Sequence, residues 1–450
     1  MADKEFDWLV NNKPFIQLFL YFAKFIPSTR SILTNVEPAN SGTMTDVKEK
    51  LVKLLGAEYV DPAKRASRDH LLEYTPKREE LTPRFVKDSY VMASIPLRTD
   101  KLMQERYVSN VGTVRYGRLM EDMDLFSVWV CQQHVKLSKL PPDGQLPYIF
   151  VTVVANSMKI RYDIHGIDND LRVSGYVSWV GNSSFEVLVW VHVVNGNELH
   201  EITQAGFLMA GRNANNSGPA PVNHLQPHND EEKEILAKAE LRRQQNAELR
   251  KASVWQEKPT QEEHDLMYDL LEKTTDKTSL ELYKRILPPN SRWMSEAYAV
   301  TTILSFPENK NRHNTVFGGF LMRIAFEISL ITSFKHCKSY PKLEHVSEFT
   351  FQKSVPVQSL LRILAHIIYV EKNYMMIMTT NDVLDPTTSQ KITSNVSYFV
   401  MSAPNDVQPV IPRSYQETLL YIHGRRKFKN LAFINEKSTK TDIGNDNKCK

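Results

Sequence analysis

Apolar residues follow one helix-then-strand order in the first half of the chain. From Gly117 onward, apolar residues three and four positions apart predict a helix with one buried face. Two runs rich in β-branched and aromatic residues, 171–180 and 185–194, flank Gly-Asn-Ser-Ser and predict a β-hairpin. Further strands are predicted at 151–154 and 205–210.

The second half repeats this order. A helix is predicted from Gly319, followed by strands at 359–370 and 374–380 around Glu-Lys-Asn, and by a closing strand at 396–402. One helix followed by a mostly antiparallel sheet, occurring twice, predicts an α+β fold. We expect each helix to be wrapped by a curved sheet, and the two units to pair.

The spacing between matching residues supports a repeat. Gly117 and Gly319 lie 202 residues apart, and the closing-strand residues Phe207 and Phe399 lie 192 apart. A drift of this size is what insertions and deletions in loops produce.

These patterns divide the chain into five segments. The segment between the two units contains a charged helix at 230–253, with acids first and bases last as the helix dipole favours, and we interpret it as an exposed connector. The predicted segments are an N-terminal extension at 1–85 with a helix near 46–55, a first unit at 86–213, a linker at 214–290, a second unit at 291–425 and a disordered tail at 426–450.

Composition adds mainly exclusions. The 450 residues are 42% hydrophobic, enough for two or more cores, and the net charge of +4 is too slight to indicate nucleic-acid binding. Cys131, Cys337 and Cys449 lack CxxC spacing, so no disulfide framework or zinc site is predicted and a reducing compartment is expected. No HExxH, Walker or GxSxG motif occurs, and we predict neither a metal nor a cofactor.

The most apolar N-terminal stretch, 14–27, is shorter than a membrane span. It is interpreted either as a short amphipathic or buried helix or as a degenerate targeting element. The preceding Asp3, Glu5 and Asp7 argue against a mitochondrial transit peptide, which is poor in acids.

Gly318 and Gly319 stand at the start of the second predicted helix, within NRHNTVFGGFLMRIAFE. A helix N-terminus offers unpaired N–H groups, and residues without side chains let an oxygen approach them. The pair is therefore a candidate oxyanion site for acyl transfer. The alternative is close packing between the helix and its neighbours.

Aligning the helix-start glycines shows that each copy holds one polar group that the other lacks. Seven residues after the glycine, the first copy has Asp124 and the second has Phe326. Eight residues before it, the first has Ser109 and the second has Asn311. Each copy thus carries half of a site, which is useful only if the copies face each other.

Other interpretations of these residues remain open at this stage. Partial burial would raise the pKa of Asp124 and make it a base near neutral pH, or it belongs to a solvated acidic face with Glu121 and Asp122. Asn311 is otherwise a loop or N-cap residue. Glu327 is either a base in a shifted register or a charge favoured by the helix dipole.

Five collinear phrases between about 89 and 424, some three quarters of the chain, resemble the acyl-coenzyme A thioesterases with a doubled hotdog fold. The phrases are VRYGRLMEDMD (114–124), SGYVSWVGNSSFEV (174–187), WMSEAYAV (293–300), PENKNRHNTVFGGFLMRIAFE (307–327) and FQKSVPVQSLL (351–361).

The resemblance implies two tandem hotdog domains packed as a pseudo-dimer, which hydrolyse acyl-CoA to a fatty acid and coenzyme A. The family's Asp position falls on Asp124, as general base or nucleophile, its Asn position on Asn311, and its glycines on Gly318 and Gly319. Coenzyme A belongs to the substrate, so no cofactor is implied. A homo-oligomer, commonly a trimer of double hotdogs, and a mitochondrial location are implied, with the cytoplasm as the alternative.

The coenzyme A phosphates need polar or basic partners, for which we consider Arg312, His313, Arg323 and Lys353. Each is otherwise an ordinary surface charge or loop residue, and the sequence does not select among them.

The chain departs from the family pattern in several places. Phe326 and Ser109 replace the base and the carboxamide in the mirror-image site, which we expect to be inactive, and Tyr116 replaces one of its glycines. Many relatives have glycine at the position of Gln358 or Ser359.

Two rival functions remain. A hotdog hydratase or dehydratase is disfavoured because neither predicted helix interior contains the required His. An acyl-CoA sensor without catalysis is the other.

Overall fold

The computed structural model describes residues 36–55, 67–140, 144–161, 168–251, 253–279, 284–309, 311, 315–385, 387–388 and 390–431. The apolar stretch at 14–27, with its two interpretations, lies outside these residues. So do Arg312 and His313.

In the described residues each half contains a central helix followed by consecutive strands, as predicted. The helices are α1 (Met44–Leu55), α2 (Lys101–Tyr107), α3 (Tyr116–His134), α4 (Asp230–Lys251), α5 (Gln261–Lys273), α6 (Gly318–Cys337) and α7 (Tyr415–Lys429). The strands are β1 (Ala39–Thr43), β2 (Val91–Ile95), β3 (Tyr148–Ile160), β4 (Leu171–Val180), β5 (Ser184–Asn195), β6 (Glu198–Asn213), β7 (Arg292–Trp293), β8 (Tyr298–Leu304), β9 (Lys342–Phe351), β10 (Leu360–Glu371), β11 (Tyr374–Leu384), β12 (Lys391–Ser402) and β13 (Val410–Ile411).

Eleven of these strands form one sheet in the order β1-β2-β4-β5-β6-β3-β9-β12-β11-β10-β8. All neighbours are antiparallel except β1 and β2. Counted inward from β2 and from β8, the two halves have the same strand order, and they join where β3 pairs with β9. The α+β prediction and both predicted hairpins are confirmed.

The loops before α3 and α6 have matching hydrogen bonds. Ser109 N–H donates to the carbonyl of Thr113 over 2.8 Å, and Asn311 N–H donates to that of Thr315 over 2.7 Å. These pairs are 202 residues apart, which is the predicted spacing of the helix starts. The two helices contact each other and contribute buried residues to one hydrophobic core.

The charged helix α4 ends at Lys251, and about half of its described side chains are exposed, as its composition suggests, but one face docks on the sheet. Its Ile235 is buried against Tyr176 and Leu188, and its Arg242 pairs with buried Glu186 at 2.7 Å. A helix with few apolar residues docks here because buried Ile235 and Ala239, this ion pair and the Arg243 guanidinium over the Trp179 ring hold it in place.

Structure extends beyond the predicted units at both ends. Met44, Val47 and Leu51, spaced three and four residues apart along α1, are buried in the main core, so part of the predicted extension packs with the first unit. The predicted tail at 426–450 begins inside α7, which continues to Lys429.

Two structural features are absent from the described residues. None of their helices combines the length and apolar character needed to span a membrane. No group of three or more His, Cys, Asp or Glu side chains in this part of the chain is arranged to hold a metal ion.

Candidate active site

Asp124 lies in the interior of α3 and is fully buried. Its Oδ1 accepts a hydrogen bond of 2.6 Å from the hydroxyl of Thr152 on β3. Burial raises the pKa of Asp124 to about 6, although the Thr152 hydroxyl and the Gly319 N–H oppose that rise, and the charge of Glu121 adds to it. A carboxyl group in this environment is ionised at neutral pH yet basic enough to accept a proton.

The other acids of this helix turn are neutralised. Glu121 pairs with Arg118 at 2.7 Å and with Arg323 at 3.0 Å. Asp122, 1% exposed, pairs with Lys48 at 2.8 Å and accepts a hydrogen bond from the Tyr107 hydroxyl. The interpretation of a solvated acidic face is wrong, because Asp122 and Asp124 are buried and Glu121, which is partly exposed, is held by two ion pairs.

Asp124 differs from them because it has no cationic partner among the described residues. Its Oδ2 is buried and accepts no hydrogen bond of normal geometry there. The Gly319 N–H is close enough to favour the charged carboxylate, but its geometry is looser than that of a normal hydrogen bond. Oδ2 therefore keeps acceptor capacity, which is the property that a proton-abstracting base requires.

The two glycines at the start of α6 have different surroundings. A Cβ on Gly318 would lie 3.1 Å from Asp124 Oδ2 and 3.1 Å from the Phe351 ring. A Cβ on Gly319 would lie 2.8 Å from the backbone of Glu121, where α3 crosses α6. Close helix packing therefore explains Gly319, whereas Gly318 makes room for the carboxylate at the helix N-terminus.

Asn311 is held by the loop that precedes α6. Its side-chain oxygen accepts a hydrogen bond of 3.2 Å from the Thr315 N–H. Because the oxygen faces the loop backbone, the NH₂ group is the end of this carboxamide suited to donate to a ligand.

A cavity of about 460 Å³ brings the two half-sites together. Asp124 from the first half lines it together with Asn311 and Gly318 from the second, and Lys353 also lies on its wall. Apolar side chains form much of the remaining lining: Leu51, Val52, Leu125, Val128, Phe317, Phe320 and Val355. The arrangement offers a base, an amide donor and a helix N-terminus beside an apolar space.

The mirror-image position is closed. Phe326, which is 4% exposed, occupies the position equivalent to Asp124. The centroid of its ring lies 6.1 Å from that of the Phe399 ring. A Cβ on Gly117 would lie 3.1 Å from the Phe326 ring. Ser109, the counterpart of Asn311, hydrogen-bonds Thr113 over 2.8 Å within its own loop.

The remaining charged candidates are scattered. Lys353 lies on the cavity wall with an exposed side chain, so a phosphate contact stays a prediction. Arg323 does not line the cavity, because its guanidinium pairs with Glu121 between the helices. Glu327, considered as a shifted base, instead forms an ion pair with Arg115.

Thr152 is the site residue that the sequence analysis missed. It lies in the apolar run 151–154, which predicts only a buried strand. A single hydroxyl within such a run was the available signal, because a buried polar group requires a partner.

The chain is similar in sequence to curated acyl-coenzyme A thioesterases over most of its length. The chain is 31% identical over 410 residues to acyl-coenzyme A thioesterase 9, mitochondrial, of Bos taurus, spanning 90% of this chain and 93% of the relative. The Mus musculus protein of the same name is 32% identical over 396 residues, spanning 86% and 88%.

Among solved structures, an acyl-CoA hydrolase from Staphylococcus aureus in complex with butyryl coenzyme A is 23% identical. It covers 34% of this chain and 97% of that chain, with a TM-score of 0.31. No protein-family model matches the chain. The identity to the curated relatives over nearly the whole chain confirms the resemblance: the chain belongs to the acyl-coenzyme A thioesterase family.

Proposed function

We propose that this protein hydrolyses acyl-CoA thioesters to free fatty acid and coenzyme A. The observation that carries the proposal is the buried Asp124 carboxylate, which has no cation partner among the described residues and shares a cavity with Asn311 and the α6 N-terminus. Membership of the thioesterase family supports the same reaction.

In the proposed mechanism Asp124 acts as the general base. The Thr152 hydroxyl fixes Oδ1, and Oδ2 takes a proton from a water whose oxygen attacks the thioester carbonyl carbon. The Asn311 NH₂ group and the first N–H groups of α6 stabilise the negative charge that develops on the carbonyl oxygen. The Gly319 N–H supports the ionised Asp124.

The tetrahedral intermediate then collapses. The C–S bond breaks, the electron pair leaves on sulfur, and the proton held by Asp124 passes to the thiolate or to solvent. Because a free thiol has a pKa of about 8.5, the leaving group needs little acid assistance. The base is thereby regenerated.

The proposal also covers the domain arrangement, the cellular location and the assembly of the protein. We infer that the two halves are tandem hotdog domains forming a pseudo-dimer; the repeated strand order and the adjacent helices α3 and α6 support this. The mitochondrial location in the relatives' names is extended to this chain, and a homo-oligomer is proposed with it.

The test mixes purified protein with acyl-CoA and a thiol-reactive dye. We expect thiol release to fall at least ~100-fold in Asp124→Asn and in Asn311→Ala, as in loss of other catalytic hydrogen-bonding groups. Ser109→Ala is the matched control for Asn311→Ala, because these residues occupy equivalent loops, and it should retain activity.

The rivals give different results. Saturable binding of acyl-CoA without thiol release would replace hydrolysis with a sensor. Addition of water to an enoyl-CoA without thiol release would replace it with a hydratase.

A further inference from the structure

The cavity continues beyond the catalytic candidates along α3. Its lining passes from Asp124 to Leu125 and Val128, and four residues of helix advance about 6 Å. The same cavity is also lined by Leu51, which is 3% exposed, and Val52, which is 39% exposed, both from α1 in the N-terminal segment rather than from either repeat. Helices α1 and α3 therefore both contribute to the cavity wall.

Helix α1 is firmly attached to the first half. Its Lys48 forms a 2.8 Å ion pair with buried Asp122, and Met44 and Val47 are fully buried. Just before the helix, the Ser41 hydroxyl accepts a 3.0 Å hydrogen bond from the indole N–H of Trp129. These contacts make α1 a fixed wall of the cavity.

Among the described residues, no helix equivalent to α1 covers the second half. Trp129 lies beside α1 and is 7% exposed, whereas Ile331, 202 residues later at the equivalent position of α6, is 51% exposed. The added helix thus covers only the half that supplies Asp124. Helix α1 therefore lies beside the half-site that contains Asp124, and it is not part of the repeated unit.

The chemistry of this region suits a hydrocarbon chain. Leu51, Val52, Leu125 and Val128 present aliphatic groups to the cavity, and the ammonium of Lys48 is neutralised by Asp122. The second half contributes the polar residues Asn311 and Lys353 to the same cavity. A thioester placed at Asp124 would extend its acyl chain towards α1.

We propose that α1 closes the acyl-binding end of the cavity, and that Leu51 and Val52 set the longest acyl chain that is accepted. This inference rests on the proposed acyl-CoA hydrolysis and adds its chain-length determinant. Each methylene buried before the wall should improve kcat/KM about fourfold, and further methylenes should bring no gain or a loss.

The experiment measures kcat/KM for saturated acyl-CoA substrates from two to sixteen carbons. Val52→Trp should shift the preferred chain to shorter substrates and lower the long-to-short ratio of kcat/KM at least ~10-fold, because the indole fills the cavity. Val52→Ala should shift it towards longer ones. The matched control is Glu49→Trp, an exposed residue of the same helix that does not line the cavity.

An unchanged chain-length profile in both Val52 variants would overturn the inference, as would a shift of equal size in Glu49→Trp. Failure of the proposed function looks different, because no acyl-CoA would then release thiol in the wild type. In that case the dissociation constants of the same acyl-CoA series replace kcat/KM. Val52→Trp must then weaken long-chain binding selectively, and equal weakening for all lengths would refute the role of α1.

Discussion

At the residue scale, Asp124 is a fully buried carboxyl group whose pKa is close enough to neutrality for it to accept a proton. A carboxylate without a cation is unfavourable in the protein interior, and the chain retains one where, among the described side chains, only Thr152 donates a hydrogen bond to it. The same feature that raises its pKa to about 6 also opposes folding at neutral pH. The proposed catalytic role of Asp124 and the stability of the fold are therefore opposed at this one residue.

We predict that Asp124→Asn is inactive but more stable than the wild type at pH 7.5, by about 2–3 kcal/mol. Between the unfolded pKa near 3.8 and the folded pKa of about 6, the folded wild type holds a proton that the unfolded chain has lost. Raising the pH through this window lowers its unfolding free energy, whereas the Asn side chain does not titrate. Urea unfolding at pH 4 and pH 7.5 measures the difference.

The stability advantage of Asp124→Asn over the wild type should disappear near pH 4, where the folded wild type is protonated at Asp124. Wild-type kcat/KM should fall about tenfold per pH unit below about pH 6 as the base is protonated. A stability difference independent of pH, or activity undiminished at pH 4.5, would contradict the assignment.

Phe326→Ala should cost about 3–5 kcal/mol of stability, because it empties a packed aromatic site. It should leave kcat/KM within about threefold below the melting temperature, since Phe326 does not line the catalytic cavity. Thermal unfolding and thiol release measure the two effects. Phe326→Leu is the milder companion variant, and a ~100-fold loss of its activity would show that the mirror position takes part in catalysis.

Sequence comparison between the halves located Asp124 and Asn311, because their absence at the equivalent positions is visible in the letters alone. It could not separate Gly318 from Gly319, since only the helix crossing shows which glycine meets backbone. Gln358 shows a similar limit: its φ of +66° is a conformation that favours glycine, and a single sequence does not reveal it.

The contact between α3 and α6 is the feature that matters most at the element scale. Glu121 and Arg323 occupy equivalent positions, 202 residues apart, and pair with each other at 3.0 Å. Opposite charges at related positions favour this contact, while Gly319 lets the helix backbones approach. The distance between the half-sites depends on this approach.

Gly319→Ala should separate the helices, because its Cβ would lie 2.8 Å from the Glu121 backbone. We expect a stability loss of about 1–3 kcal/mol from overpacking, and at least a ~10-fold fall in kcat/KM. Denaturant unfolding and the thiol assay report both. Gly206→Ala is the matched control, because its Cβ would meet its nearest neighbour at an ordinary 3.6 Å; equal effects in both variants would refute this explanation.

Element positions were largely predictable, since the hairpins and both central helices follow periodicity and turn residues. The packing partners of these elements were less predictable. Neither the docking of α4 on the sheet nor the packing of α1 against α3 is encoded in local pattern, because both depend on a few long-range contacts.

At the scale of the whole molecule, one sheet runs through both halves. The pairing of β3 with β9 joins them, and Thr152 on β3 and Phe351 on β9 both reach the site region. The site is thus formed within a single chain.

Mixing chains should therefore not restore a site. We predict that co-expressed Asp124→Asn and Asn311→Ala chains hydrolyse acyl-CoA no faster than the sum of the separate variants. Thiol release from the co-purified protein measures this. Recovery of about a quarter of wild-type activity, together with proof of mixed assembly by mass, would mean that neighbouring subunits share the site.

The packing of the Phe326 ring against Gly117 has a consequence for how the two halves of such a protein change in sequence over evolution. In an assembly of two identical chains, any substitution appears twice, so a ring that blocked one groove would block both. Covalent linkage of the halves removes that coupling. One groove is then free to become ordinary packing while the other retains a poorly solvated acid, and each can change without altering its counterpart.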